Sequence, residues 1–185
     1  MQATDPELVR QIRQGDQGAF REMVRRHAEG LFAMAYSLLG SAHDAEDAVQ
    51  ETLITAMNRI GTFEGRSTLG TWLRGILVFK ADKVRRSRKV RSALPLQDYD
   101  GASGGRADSR LTSRSPVAAI DSAADLNVML QTLSPEHRQI IVLRELQQLS
   151  YEEISKMLKI PVGTVESRLY RARQELKKRF GDELA

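Results

Sequence analysis

Apolar residues recur along this chain every three to four positions, the spacing that gathers side chains on one face of an α-helix. Leu8, Val9 and Ile12 make a short stripe ending near Gly15, and Asp5 is placed to cap its helix with Pro6 at the first position and Glu7 in the first turn. A second stripe carries Phe20, Met23, Val24, Leu31, Phe32, Met34, Ala35, Leu38 and Leu39 up to Gly40. A third, from about Ala42 to Ile60, sets Ala45, Ala48, Val49, Leu53 and Ala56 on one face. After a Gly-bearing loop, Gly61 to Gly70, a fourth helix is expected from near Thr71, carrying Trp72, Leu73, Ile76, Leu77 and Phe79.

Toward the C-terminus the pattern sharpens. Ser134 before Pro135 and Glu136 marks a helix start, with Ile140, Ile141, Leu143 and Leu146 following. Ser150-Tyr151-Glu152-Glu153 matches a capping box, in which hydroxyl and carboxylate each accept from the other's free backbone amide. The helix it opens is short, with Ile154, Met157 and Leu158 as its apolar positions, and Lys159-Ile160-Pro161-Val162-Gly163 breaks it. Thr164 then stands as the cap of a last helix whose Val165, Leu169, Ala172 and Leu176 face inward. Short helix, turn and basic helix form the helix-turn-helix arrangement of DNA readers, whose second helix enters the major groove. Its outward positions are Glu166, Ser167, Tyr170, Arg171 and Gln174, with Arg168 and Arg173 nearer the flanks and suited to phosphates.

Between the two helical regions, about 93–122 is rich in Gly, Ser, Asp and Arg without a sustained apolar period, which reads as a flexible linker. The predicted fold is therefore all-α: a four-helix domain over 1–92 and a helix-turn-helix domain over 123–185. The chain has 185 residues, a size suited to two small domains, and its 5% aromatic content argues against a β-sandwich or barrel. It has no cysteine, which excludes disulfide scaffolds, thiol nucleophiles and Cys-ligated metals. No run approaches the roughly 18 apolar residues of a membrane span, and the N-terminus lacks a basic start followed by an apolar core. A soluble, cytoplasmic protein without membrane insertion is expected.

Net charge is +4, but the positive charge is concentrated. Lys80, Lys83, Arg85, Arg86, Arg88, Lys89 and Arg91 stand together against Asp82 alone, more than dipole capping of a helix end requires, and point to a nucleic-acid backbone. Asp44, Glu46, Asp47 and Glu51 lie on the third helix opposite its alanines, which suits a protein-docking or solvated face better than acid-base chemistry. His27, His43 and His137 lack ligand spacing, and Gly101 to Gly105 lacks the Lys and Ser/Thr of a phosphate loop. No catalytic residue, metal or cofactor is expected. Two other classes compete with a DNA-binding subunit: a stand-alone, dimeric helix-turn-helix regulator, and a Mg²⁺-dependent nucleic-acid enzyme using the acidic cluster.

The string Asp44-Ala45-Glu46-Asp47-Ala48-Val49-Gln50-Glu51-Thr52, then Phe63-Glu64-Gly65-Arg66-Ser67 with Thr71-Trp72-Leu73, then Leu149-Ser150-Tyr151-Glu152-Glu153-Ile154 with Pro161 to Val165 and Ser167-Arg168 through Arg171-Ala172-Arg173, resembles an extracytoplasmic-function sigma factor of bacterial RNA polymerase, a group within the sigma-70 family. The resemblance implies a non-enzymatic subunit that binds core polymerase through the β′ clamp coiled coil and the β flap and directs initiation at promoter DNA. It assigns Asp47, Gln50 and Glu51 to core docking. It places the −10 strand on Phe63, Gly65, Ser67, Trp72, Lys80, Lys83, Arg85 and Arg86, with one base extruded. Reading of the −35 element then falls to Glu166, Ser167, Arg168, Tyr170, Arg171 and Arg173. An anti-sigma partner is a further implication. Here Arg74-Gly75-Ile76-Leu77-Val78-Phe79 follows Trp72-Leu73 where the family often continues Tyr-Arg-Ile-Ala-x-Asn, and Leu69-Gly70 lacks the usual aromatic, so a distinct −10 preference is expected. Glu166 stands where a basic residue is common, so the −35 sequence is expected to differ as well.

Overall fold

A computed structural model of the protein describes residues 4–93 and 123–181. Among these residues every regular element is helical: α1 (Asp5–Arg13), α2 (Gln17–Leu39), α3 (Ala42–Arg59), a 3-10 turn (Ile60–Thr62), α4 (Leu69–Ala93), α5 (Ala123–Thr132), α6 (Pro135–Ile141), a π segment (Val142–Leu146), α7 (Tyr151–Leu158) and α8 (Val162–Phe180). The expected linker lies outside the described residues except for Ala93, which ends α4. No helix among the described residues is long and apolar enough to cross a membrane.

Helices α1 to α4 bury the predicted stripes against one another. Leu8, Met23, Met34, Ala45, Ala48, Leu69, Leu73 and Leu77 are all but inaccessible. The alanines of α3 matter here, because small side chains let it lie close between α2 and α4. Asp16 caps α2 by accepting from Gly18 and Ala19 N–H, and Gly40 ends it in the left-handed region at φ 71°. Ser41 caps α3 through Asp44 N–H.

In the second unit, Ile140, Leu143, Ile154, Val165, Leu169 and Ala172 form the buried centre where α6, α7 and α8 meet. Ser134 accepts from His137 N–H, and Ser150 and Glu153 close the reciprocal capping box of α7.

Four local expectations change. α1 begins at Asp5 itself, with Thr4 as the preceding cap residue, so Asp5 lies inside the first turn and Pro6 one place further in. α4 starts at Leu69, two residues before Thr71, because the Thr68 hydroxyl accepts from Thr71 N–H and supplies the cap. α8 starts at Val162, and Thr164 sits within its first turn; Pro161 O takes the N–H groups of Thr164 and Val165, so no hydroxyl cap is needed. Phe79, expected on the buried stripe of α4, is 69% exposed because the apolar seam there runs through Leu73, Leu77, Val78 and Ala81.

The two units pack together. Gln131 Nε2 donates to Ser37 O at 3.2 Å, and Arg138 Nη1 to Leu38 O at 2.9 Å. Both carbonyls lie in the last turn of α2, where a helix has no internal donor left. Gln139 Nε2 reaches Asp82 Oδ1 at 3.5 Å. Gly40 suits this junction through its positive φ, and a Cβ there would stand 2.5 Å from the Gln131 side chain, which would have to move.

Candidate nucleic-acid interface

The helix-turn-helix is built by α7 and α8. Capping starts α7 at Ser150, and Lys159 in the left-handed region at φ 56° stops it, turning the chain toward Pro161. Buried Val165, Leu169, Ala172 and Leu176 seat α8, leaving Glu166, Ser167, Tyr170, Arg171 and Gln174 exposed along one face. Tyr170 is 66% exposed, so its ring has no role in the core. The Ser167 hydroxyl donates back to Thr164 O, while Glu166 and Arg171 point to solvent. The two flanking arginines are partnered: Arg168 pairs with Glu136 at 2.8 Å and Arg173 with Glu145. Each would have to exchange that carboxylate for a phosphate, while Arg171 is exposed to solvent.

The second constellation is the loop between α3 and α4. Phe63 and Leu69 anchor its two ends in the core, and residues 64–68 between them are exposed, with Gly65 at φ 72° allowing the turn. Phe63 is 8% exposed and its ring lies 5.5 Å from that of Trp72 at 56°. The Phe63 ring is taken up by the core and by Trp72, and the half-buried Trp72 presents the more open aromatic surface. A groove of about 740 Å³ runs past it, lined among others by Arg59, Arg66, Ser67, Thr71, Trp72, Ile76 and Lys156. Positive charge above an aromatic and aliphatic floor suits single-stranded nucleic acid, whose backbone needs cations and whose bases need flat surfaces.

The basic run of α4 is less open than its composition implies. Lys80 is 16% exposed at its side chain and pairs with Glu51 at 3.0 Å. Arg85 pairs with Asp82 at 3.1 Å, and Arg88 with Asp44. Lys83 and Arg86 are exposed. Pairing Lys80 with Glu51 joins a candidate strand contact to a candidate docking contact. Asp47 and Gln50 stay exposed on α3, whereas Asp44 has only 14% of its side chain accessible and is corrected from a solvated acid to a tie between α3 and α4.

Two groove residues escaped the sequence reading. Arg59 had a signal: apart from His43, it is the lone basic side chain at the end of an otherwise acidic helix. Lys156 had none, since α7 reaches the groove only through the packing of the two units, with Met157 set 3.9 Å from where a side chain on Gly75 would begin.

Residues 23–90 match the family described as Sigma-70 region 2, and residues 124–176 the one described as Sigma-70, region 4. The chain is 39% identical over 180 residues to the ECF RNA polymerase sigma factor SigE of Mycolicibacterium smegmatis, covering 88% of this chain and 63% of that longer relative. Against the ECF RNA polymerase sigma-E factor of Escherichia coli K12 the identity is 33%, over 95% of this chain and 93% of the other. Among solved structures, the sigma factor RpoE bound to the anti-sigma factor NepR from Bartonella quintana superposes with a TM-score of 0.61 at 28% identity, covering 86% of this chain and 94% of that one.

Proposed function

This chain belongs to the ECF sigma factors of the sigma-70 family, directing promoter-specific initiation by RNA polymerase, and on that premise we propose how its residues divide the work. Residues 1–92 act as the −10 and core-docking domain, 93–122 as the connection, and 123–185 as the −35 domain. The carrying observation is the bare face of α8: Glu166, Tyr170 and Arg171 lie exposed on a helix whose opposite side is fully seated. Arg can pair bidentately with guanine and Glu can accept from the amino group of cytosine, so this face reads base edges. Arg168 and Arg173 exchange their carboxylates for phosphates and set the register.

In the first unit, Trp72 with Gly65 and Ser67 holds an extruded base, and Lys83 and Arg86 follow the strand backbone. Lys80 joins them once Glu51 turns to polymerase. Asp47, Gln50 and Glu51 dock on the β′ clamp coiled coil, and the second unit on the β flap. The protein makes no bonds itself. It works in the cytoplasm, where polymerase is, and an anti-sigma protein holds it in reserve, as the NepR-bound relative suggests.

The test is in vitro transcription of a genomic fragment library by bacterial core polymerase with and without the protein, sequencing RNA 5′ ends. New starts sharing upstream −35 and −10 elements are expected. Binding to duplex DNA alone, with no new start and no affinity for core, would instead make the chain a stand-alone regulator.

A further inference from the structure

The geometry points to Arg13, the last residue of α1, as a positioning residue for the loop that receives the −10 strand. The inference rests on the assignment of that loop just made. Arg13 lies outside the 23–90 stretch matched by the region 2 family. Its guanidinium nonetheless spans the entrance to the loop, with Nε donating to Ile60 O at 3.3 Å and Nη2 to Gly61 O at 3.4 Å and to Phe63 O.

The first two carbonyls belong to the 3-10 turn closing α3, where any cation would be favourable. Phe63 is the residue that ends that turn, in extended conformation at ψ 113°, so the third bond carries the clamp onto the first residue of the loop. Phe63 is also the residue whose ring backs Trp72. Arg13 therefore holds Phe63 from its backbone while the core holds its ring, and Phe63 in turn fixes one edge of the Trp72 indole. The far end of the loop is fixed separately, by buried Leu69 and by the Thr68 hydroxyl accepting from Thr71 N–H at 3.1 Å. With both ends held, residues 64–67 stay exposed between two fixed points, and Arg66 and Ser67 line the same groove as Trp72, as capture of one extruded base demands. A lysine would keep the charge but lacks the planar fork that reaches three carbonyls at once.

The experiment uses the full chain with core polymerase and fluorescent single-stranded oligonucleotides carrying the mapped −10 element, each −10 base substituted in turn. Wild type, Arg13→Met, Arg13→Lys and the double substitution Arg66→Ala with Ser67→Ala are compared. Core affinity, binding of −35 duplex and helicity at the assay temperature are measured alongside. Expected for Arg13→Met is about a tenfold loss of discrimination at the extruded base, with core and −35 affinities within twofold of wild type, and an intermediate loss for Arg13→Lys. A proportional loss of all three affinities would make Arg13 merely structural and overturn the inference. So would wild-type discrimination by Arg13→Met, or full retention by Arg13→Lys. If the double loop substitution changes discrimination while Arg13→Met does not, Arg13 alone is wrong. If neither changes it, the loop assignment itself falls.

Discussion

His27 packs its imidazole under Gly70, where a Cβ would meet the ring at 3.4 Å, and its Nε2 is buried without a hydrogen-bond partner. Burial lowers its pKa below the usual 6.5, and Arg74 and Arg26 push the same way, while Asp5 opposes them. The unfolded chain therefore binds a proton at a higher pH than the folded one, and this contribution to stability, complete above pH 6.5, is lost as pH falls through the lowered folded value. His27→Gln should flatten that part of the curve, so urea midpoints of the two proteins should diverge between pH 7.5 and 5; parallel curves would show that the ring is not titrating. Glu166, by contrast, contributes little to the fold from its exposed site on α8. Glu166→Arg should replace a preference for cytosine at one −35 position by one for guanine, a discrimination of about 1–3 kcal/mol. Selection from randomised duplexes checks this, and an unchanged consensus would remove Glu166 from the reading face.

Helix α7, with eight residues, is too short to persist by propensity alone. Its capping box and buried Ile154 keep it in place, so Ser150→Ala should cost about 1 kcal/mol of unfolding free energy and shift the urea midpoint without changing its slope. A variant as stable as wild type would mean that packing alone holds the helix. The capping box was legible in the sequence because both partners are three residues apart, and the long stripes of α2, α3 and α8 were legible because their period is sustained. Helix α5 was not: its ten residues offer Leu126, Met129 and Leu130 without a strong start signal, and the helix finds its place by packing on α2. The π segment after α6 was equally hidden, since a shift of hydrogen-bond register leaves no mark in composition. At the candidate sites, residue types and order were readable, but ion pairs such as Lys80 with Glu51, 29 residues apart, were not. The basic run therefore looked more available than it is.

The whole molecule has its two units in contact, and that arrangement cannot span a promoter. A packed body made of residues 4–93 and 123–181 has a radius of gyration of about 15 Å and is roughly 40 Å across. The −35 and −10 elements, some 25 base pairs apart by their names, are separated by about 85 Å at 3.4 Å per pair. With one element read by each unit, as proposed above, the units are expected to part, breaking the bonds from Gln131 and Arg138 to the end of α2. The lack of native cysteine allows two dyes to be placed uniquely, for example at Glu29→Cys and Lys178→Cys. Energy transfer should be high in the free protein and fall when polymerase and promoter are added; an unchanged distance would contradict the separation. Arg138 keeps most of its partners on parting. Besides Leu38 O it holds Leu130 O, Gln131 O and Leu133 O within its own unit, so parting returns one α2 carbonyl to water and leaves the arginine anchored. Because both units ride on one chain, they meet at an effective concentration on the order of millimolar. Once polymerase and promoter let go, the two units can therefore meet again without an encounter between separate molecules.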